Sequence, residues 1–105
     1  MAYPRRPIAK TNGTLAVTTG SVVAVADNPA RLYLRITNPD AAAIMYVKFA
    51  TAGATTLGGA VPAPTATADT ASLKIPPGGF FETTAYTGPV AIIGSAGFNA
   101  NVLEI

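Results

Sequence analysis

The sequence predicts an all-β fold, an antiparallel β-sandwich with an extended N-terminal arm, and a jelly roll is one connectivity that its pattern admits. Three observations lead there. Apolar residues recur with a period of two in short runs, the spacing of a strand with one buried face. Ten Gly and nine Pro punctuate the chain every few residues, leaving no stretch with a credible helix. Val, Ile and Thr, which suit a pleated surface, are abundant. A length of 105 residues is one domain. Its expected division is an arm over 1–13 and a sandwich over 14–105, with a long loop at 50–71.

Each element follows in order. Pro4 and Pro7 hold the first residues extended and remove two backbone donors. From Thr14, Leu15 and Val17 alternate with polar or small residues. Gly20-Ser21 turns the chain, and Val23 and Val25 form the next alternation, with Val22 as a further apolar side chain. Asp27-Asn28-Pro29 has turn chemistry. In the clearest run, Leu32, Leu34 and Ile36 are expected to face the core, with Arg31, Tyr33, Arg35 and Thr37 opposite. After Asn38-Pro39-Asp40, the run 43–49 has Met45, Val47 and Phe49 as its apolar phase. The two runs are expected to form an antiparallel hairpin.

Residues 50–71 are almost wholly Ala, Thr, Gly and Pro, with Leu57 and Val61 the only large apolar side chains. A loop this long inside a small domain is usually functional or disordered. Pattern then returns: Leu73 and Ile75 in phase, a Pro76-Pro77-Gly78-Gly79 turn, a strand over 80–84, a turn at 87–89, and a strand over 90–95. The run 101–105 ends the pattern, with Leu103 and Ile105 expected in the core.

Composition narrows the chemistry. Of 52 apolar residues 21 are Ala, so the core is modest and oligomerisation would help it. Only 12 residues are charged, about half the usual fraction. Arg5, Arg6 and Lys10 gather in the first ten residues, which leaves the remainder at net −1. No Cys or His occurs, which excludes disulfides, thiolate chemistry, Cys/His zinc sites and His-based triads. No apolar run reaches membrane-spanning length, and the basic start lacks the apolar stretch of a secretory signal.

Motifs do not restore a catalytic reading. Asp27, Asp40, Asp69, Glu82 and Glu104 are dispersed, and the first two sit in Pro-containing turns where Asp ordinarily binds backbone amides. No serine has a His or S-x-x-K partner, and Gly58-Gly59 and Gly78-Gly79 belong to no phosphate-binding loop. Asn12-Gly13-Thr14 matches a glycosylation sequon without a secretory context. The expectation is no catalytic residue, no cofactor and no metal site. The features that remain suit assembly. Tyr3 and Ile8 would serve as anchors on the arm, Arg5 and Arg6 as partners for a neighbour's carboxylates, and Leu57 and Val61 as loop anchors against another subunit. Arg31, Tyr33 and Arg35 form a third candidate contact. Their interleaving also resembles a nucleic-acid stacking platform, but two arginines give little phosphate affinity. A carbohydrate-binding module ranks last because Trp is absent.

The segment RLYLRITNPDAAAIMYVKF, an Ala/Thr/Gly-rich stretch, and SLKIPPGGFFETTAYTGPVAIIGSAGFNANVLEI together resemble small structural proteins of tailed bacteriophages. The shared pattern is a strand ending in an N-P turn, a Y-V-x-F strand, a PGG turn before an aromatic strand, and a V-A-I-I-G-S-A-G strand. It covers residues 31–105. The resemblance implies a non-enzymatic virion protein, assembled in the host cytoplasm. A capsid decoration (cement) protein is the leading reading, with a head-fibre, neck or tail accessory protein as the alternative. Its partners would be the major capsid protein or other virion proteins. A homo-oligomer is expected, a trimer matching three-fold capsid sites. A nucleic-acid-binding β domain is the rival from a different class.

Overall fold

A computed structural model describes residues 11–50 and 64–105. Eight strands follow one another: β1 (Thr11–Val17), β2 (Val22–Val25), β3 (Leu34–Thr37), β4 (Met45–Phe49), β5 (Leu73–Ile75), β6 (Phe80–Thr83), β7 (Val90–Gly94) and β8 (Phe98–Glu104). They build two four-stranded antiparallel sheets, in the orders β1-β8-β3-β6 and β2-β7-β4-β5. The pairings are nested: β1 with β8, β2 with β7, β3 with β6 and β4 with β5. The chain is thus one long hairpin, with its tip at the β4–β5 connection, rolled so that alternate strands fall in opposite sheets. This connectivity is the jelly roll.

The expected alternation holds where a strand is regular. Leu34 and Ile36 of β3, Met45 and Val47 of β4, Val90 and Ile92 of β7, and Ala100 and Val102 of β8 are buried between the sheets. Val17, Val25 and Ile75 complete the core, with Leu15 and Phe49 partly buried against it. Phe49 closes one end. It meets Phe81 of the opposite sheet edge-on, with ring centroids 5.6 Å apart, and Tyr86 at 4.8 Å. The Tyr86 hydroxyl donates to the Pro89 carbonyl (2.7 Å) and accepts from the Ala50 amide (2.9 Å).

Several expectations are corrected. First, residues 31–49 are not a hairpin: β3 and β4 lie in different sheets. The reason is Asn38, which is fully buried at the corner between them. Its side-chain amide donates to the carbonyls of Ala43, Ile75 and Pro76 (2.8, 3.3 and 3.2 Å). Its backbone amide donates to Gly79 and its carbonyl accepts from Gly78. One side chain thereby ties the β3–β4 corner to the β5–β6 turn. In that turn Gly79 donates to the Pro76 carbonyl (2.9 Å) and Gly78 has φ of 77°, the left-handed value that the third residue of a type II turn requires.

Second, Arg31 is buried and Leu32 is 61% exposed, the reverse of the expected phase. The amides of Leu32 and Tyr33 both donate to the Ile105 carbonyl (2.7 and 3.2 Å). Two residues thus face one, as in a β-bulge, and the inward–outward alternation slips by one position. Third, β8 turns Ala100, Val102 and Glu104 inward, leaving Leu103 and Ile105 half-buried. Fourth, a register shift between Val23 and Val25 places Val23 outside, 49% exposed, while Val22 and Ala24 pack against the core. The strand β1 also opens at Thr11, inside the stretch expected to be arm.

The slip at Leu32 and the phase of β8 share a cause. The Arg31 Nε donates to Glu104 Oε2 at 2.7 Å, and both residues are almost fully buried. The rest of the guanidinium donates to the carbonyls of Ala26 (2.7 Å), Gly88 (2.8 Å) and Tyr86 (3.4 Å), and Asn28 Nδ2 donates to the same carboxylate oxygen (3.3 Å). Among the described residues no buried side-chain polar atom lacks a hydrogen-bond partner.

Removing one member of such a pair leaves the other charge buried. Arg31→Met is expected to destabilise the fold by about 3–5 kcal/mol in urea unfolding, and adding Glu104→Leu should restore part of the loss. Asp40 gives a pH-dependent term. Its carboxylate accepts from the Ala43 and Ala42 amides (2.6 and 3.0 Å), and these bonds hold its pKa below the ordinary 3.8. A depressed carboxylate contributes stability that is present above its unfolded value and lost as pH falls through the folded one. Stability should therefore decline below about pH 4, and Asp40→Ala should flatten that part of the acid limb.

Candidate interaction surface

The two outer faces of the sandwich differ. On the second sheet the protein covers itself. The Ala66 amide donates to Ser21 Oγ (2.9 Å) beside β2, one edge of that sheet. Six residues later, the Ser72 amide donates to Val47 (2.7 Å) and Ser72 Oγ accepts from Phe49 (3.2 Å), beside β5 at the other edge. The edges of a four-stranded sheet lie about 14 Å apart, so residues 66–72 cross its outer face as a strap. Lys48, on that face, donates to the Thr70 carbonyl (2.8 Å), and Ala66, the first residue of the strap, is buried. The described part of the long loop therefore lies on its own domain. Leu57 and Val61 lie outside the described residues.

The first sheet presents a different face. Going across it, β1 contributes Asn12, Thr14 and Ala16, and β8 contributes Asn99, Asn101 and Leu103. Residues 33–37 contribute Tyr33, Arg35 and Thr37, and β6 contributes Phe80 and Glu82. Every one of these positions is exposed or half-buried. A shallow hollow of about 260 Å³ runs over Asn12, Thr14, Asn101, Leu103, Arg35 and Thr37. A wider one of about 540 Å³ lies beside Tyr33, Glu82 and Thr84.

Cross-strand register assembles the charged part of this face. Arg35 stands opposite Glu82, and Thr37 opposite Phe80. The diagonal brings the Arg35 guanidinium over the Phe80 ring, 4.7 Å from its centroid, a cation–π contact. The Tyr33 hydroxyl donates to Glu82 Oε2 at 2.5 Å. That bond raises the phenol above its ordinary pKa of 10.0, aided by slight desolvation and the Glu82 charge and opposed by Arg35. Tyr33 is thus a neutral donor, and the one cation and one anion that the described residues place on this face stand opposite each other. Phe80 remains 50% exposed.

Of the residues singled out from the sequence, Tyr33 and Arg35 share this face. Arg31 does not: it is inside the sandwich, held by Glu104. The expected row of two arginines and a tyrosine is therefore one arginine and one tyrosine. Tyr3, Arg5, Arg6 and Ile8 lie outside the described residues. Phe80, Glu82, Asn101 and Leu103 were not singled out, because only the pairing of β6 and β8 with β3 brings them beside Arg35. Their one sequence signal is alternation: in Phe80-Phe81-Glu82-Thr83 one phase of the strand faces outward. No group of three or more acidic side chains capable of holding a metal occurs among the described residues. Compared with protein-family models, with curated proteins and with solved structures, the chain matches none.

The Tyr33–Glu82 bond is open to direct measurement. Glu82→Ala removes both the acceptor and the charge that raise the phenol, so Tyr33 should titrate at a lower pH in the variant. The Tyr33 ring carbon followed by NMR across the alkaline range checks this.

Proposed function

We propose that the protein is a non-enzymatic structural component of a tailed-phage virion, a capsid decoration protein that binds the assembled shell and stabilises it. The observation that carries this reading is the inequality of the two faces. One sheet is covered by the protein's own strap. The other offers a broad, open, low-charge surface whose arginine and aromatics are of the kinds enriched where proteins bind one another. The fold adds a weaker, fold-level analogy: eight-stranded jelly rolls recur in viral capsid proteins, and also in lectins and cupins.

The physical role follows from linkage. A protein that binds the assembled shell and not its free subunits stabilises the shell by mass action, with no chemistry of its own. A low-charge face suits this role because few ions have to be stripped of water on docking. The nucleic-acid reading has less support, since the burial of Arg31 leaves Arg35 as the sole described cation of the outer first-sheet face.

The test is stoichiometry in purified particles. Copies on the order of hundreds, tracking the major capsid protein, are expected for decoration, because the site repeats with the shell lattice. A single ring of copies would point to the neck or tail, and absence from particles would reject the virion reading. Particles depleted of the protein should lose their genome at a lower temperature than complete ones.

A further inference from the structure

We infer that β1 is a pairing edge for a second copy of this chain, joining two sandwiches through an antiparallel β1–β1 contact centred on Thr14. This rests on strand geometry and is independent of the virion reading.

The two sheets have four edge strands, and three are unsuited to pairing. The strand β2 has four residues and a register shift, and its start is engaged by the strap. The strand β5 has three residues, carries Lys74 and runs into Pro76-Pro77. The strand β6 has four residues and carries Glu82. Short length, bulges, charge and proline are the features that keep sheet edges from pairing. None is found in β1, which has seven residues, no charge, no proline and an unbroken register with β8.

The hydrogen-bond parity of the sheet shows which groups this edge offers. Tyr33 and Ile105 exchange both backbone bonds, which makes them a hydrogen-bonded pair. Alternation along the antiparallel β3–β8 ladder then directs Leu103, Asn101 and Asn99 toward β3, and Glu104, Val102, Ala100 and Phe98 toward β1. Opposite the latter set stand Thr11, Gly13, Leu15 and Val17, whose backbone groups β8 satisfies. The amides and carbonyls of Asn12, Thr14 and Ala16 therefore point outward along the edge, where no strand of the described residues pairs with them.

Three outward residues at equal spacing are self-complementary. A two-fold axis at Thr14 sets Thr14 against its twin and Asn12 against Ala16 in both directions, which gives about six backbone hydrogen bonds. No other centre uses all three residues of both copies. In the same register Leu15 stands opposite Gly13, where nothing lies within 4 Å of the position a Cβ would take, so the half-buried leucine gains room at the sheet edge. Charge also selects a second copy. Self-pairing of β1 brings no like charges together, whereas self-pairing of β5 or β6 would confront Lys74 or Glu82 with itself. The resulting symmetry is two-fold, in place of the trimer expected from the sequence.

Sedimentation of the full chain at micromolar concentration should show a dimer. Thr14→Lys sets two ammonium groups across the axis on an exposed face. It should keep the β-type circular dichroism and weaken association by about tenfold or more. The chain has no cysteine, so Thr14→Cys provides a single thiol that a short bis-maleimide should couple to its twin. Thr84→Cys, on the exposed connection after β6, should not couple. A monomeric native protein, a dimer indifferent to Thr14→Lys, or equal coupling at both positions overturns the assignment. If Thr14→Lys fails to fold, native sedimentation and the coupling comparison still decide.

Discussion

The arrangement of this sandwich depends on one buried ion pair. Arg31 and Glu104 are 73 positions apart and meet between the sheets, where neither charge has water to replace its partner. Around them converge the β2–β3 connection, the β6–β7 connection and the end of β8, each contributing a backbone carbonyl or a strand terminus. The pair need not add much net stability, because desolvation offsets most of its attraction. What it fixes is phase. Sliding β8 by one residue would turn Glu104 out and leave the guanidinium buried alone, a cost of several kcal/mol. The inward row Ala100, Val102, Glu104 and the slip at Leu32 follow from that penalty.

This explains how far the fold was legible in the sequence. Period-two runs that end in turn residues identify strands without knowledge of their partners. Leu34, Ile36, Met45 and Val47 could be assigned to the core on that basis, and all four are buried. Leu103 and Ile105 could not be assigned correctly. Hydrophobicity alone favours turning them inward and Glu104 outward, and only a distant arginine reverses the choice. The 31–49 hairpin failed for a related reason. Asn38-Pro39-Asp40 reads as a turn in either case, but whether a turn pairs its flanking strands or carries the chain to the opposite sheet depends on Asn38 reaching carbonyls of Ala43, Ile75 and Pro76. The outer surface was legible in half-measure. Tyr33 and Arg35 stand out as a polar phase, whereas Glu82 and Phe80 become their neighbours through register.

The strap and the open face are two answers to one problem. A chain with so few charges must leave large areas of its surface clad in Thr, Ala, Asn and isolated aromatics. On the second sheet the chain covers such an area itself, through hydrogen bonds from the Ala66 amide to Ser21, from Lys48 to the Thr70 carbonyl and from the Ser72 amide to Val47. On the first sheet the few charged groups are each held by a neighbour on the face. Glu82 accepts from the Tyr33 hydroxyl, and the Arg35 guanidinium lies over the Phe80 ring. The face is thereby polar enough for water and low enough in charge for close contact.

The nested strand order also governs how the protein can come into being on a ribosome. The strand β8 sits between β1 and β3, and β7 sits between β2 and β4, so one inner strand of each sheet is among the last two of the eight to be translated. At roughly 5–20 residues per second, β1 waits several seconds or more for β8. During that interval Leu15, Val17, Leu34 and Ile36 are uncovered in the nascent chain, and Arg31 has no counter-ion until Glu104 emerges. Folding of the two sheets is then a late event rather than a progressive one, since a chain that stops before β7 and β8 lacks an inner strand of each sheet.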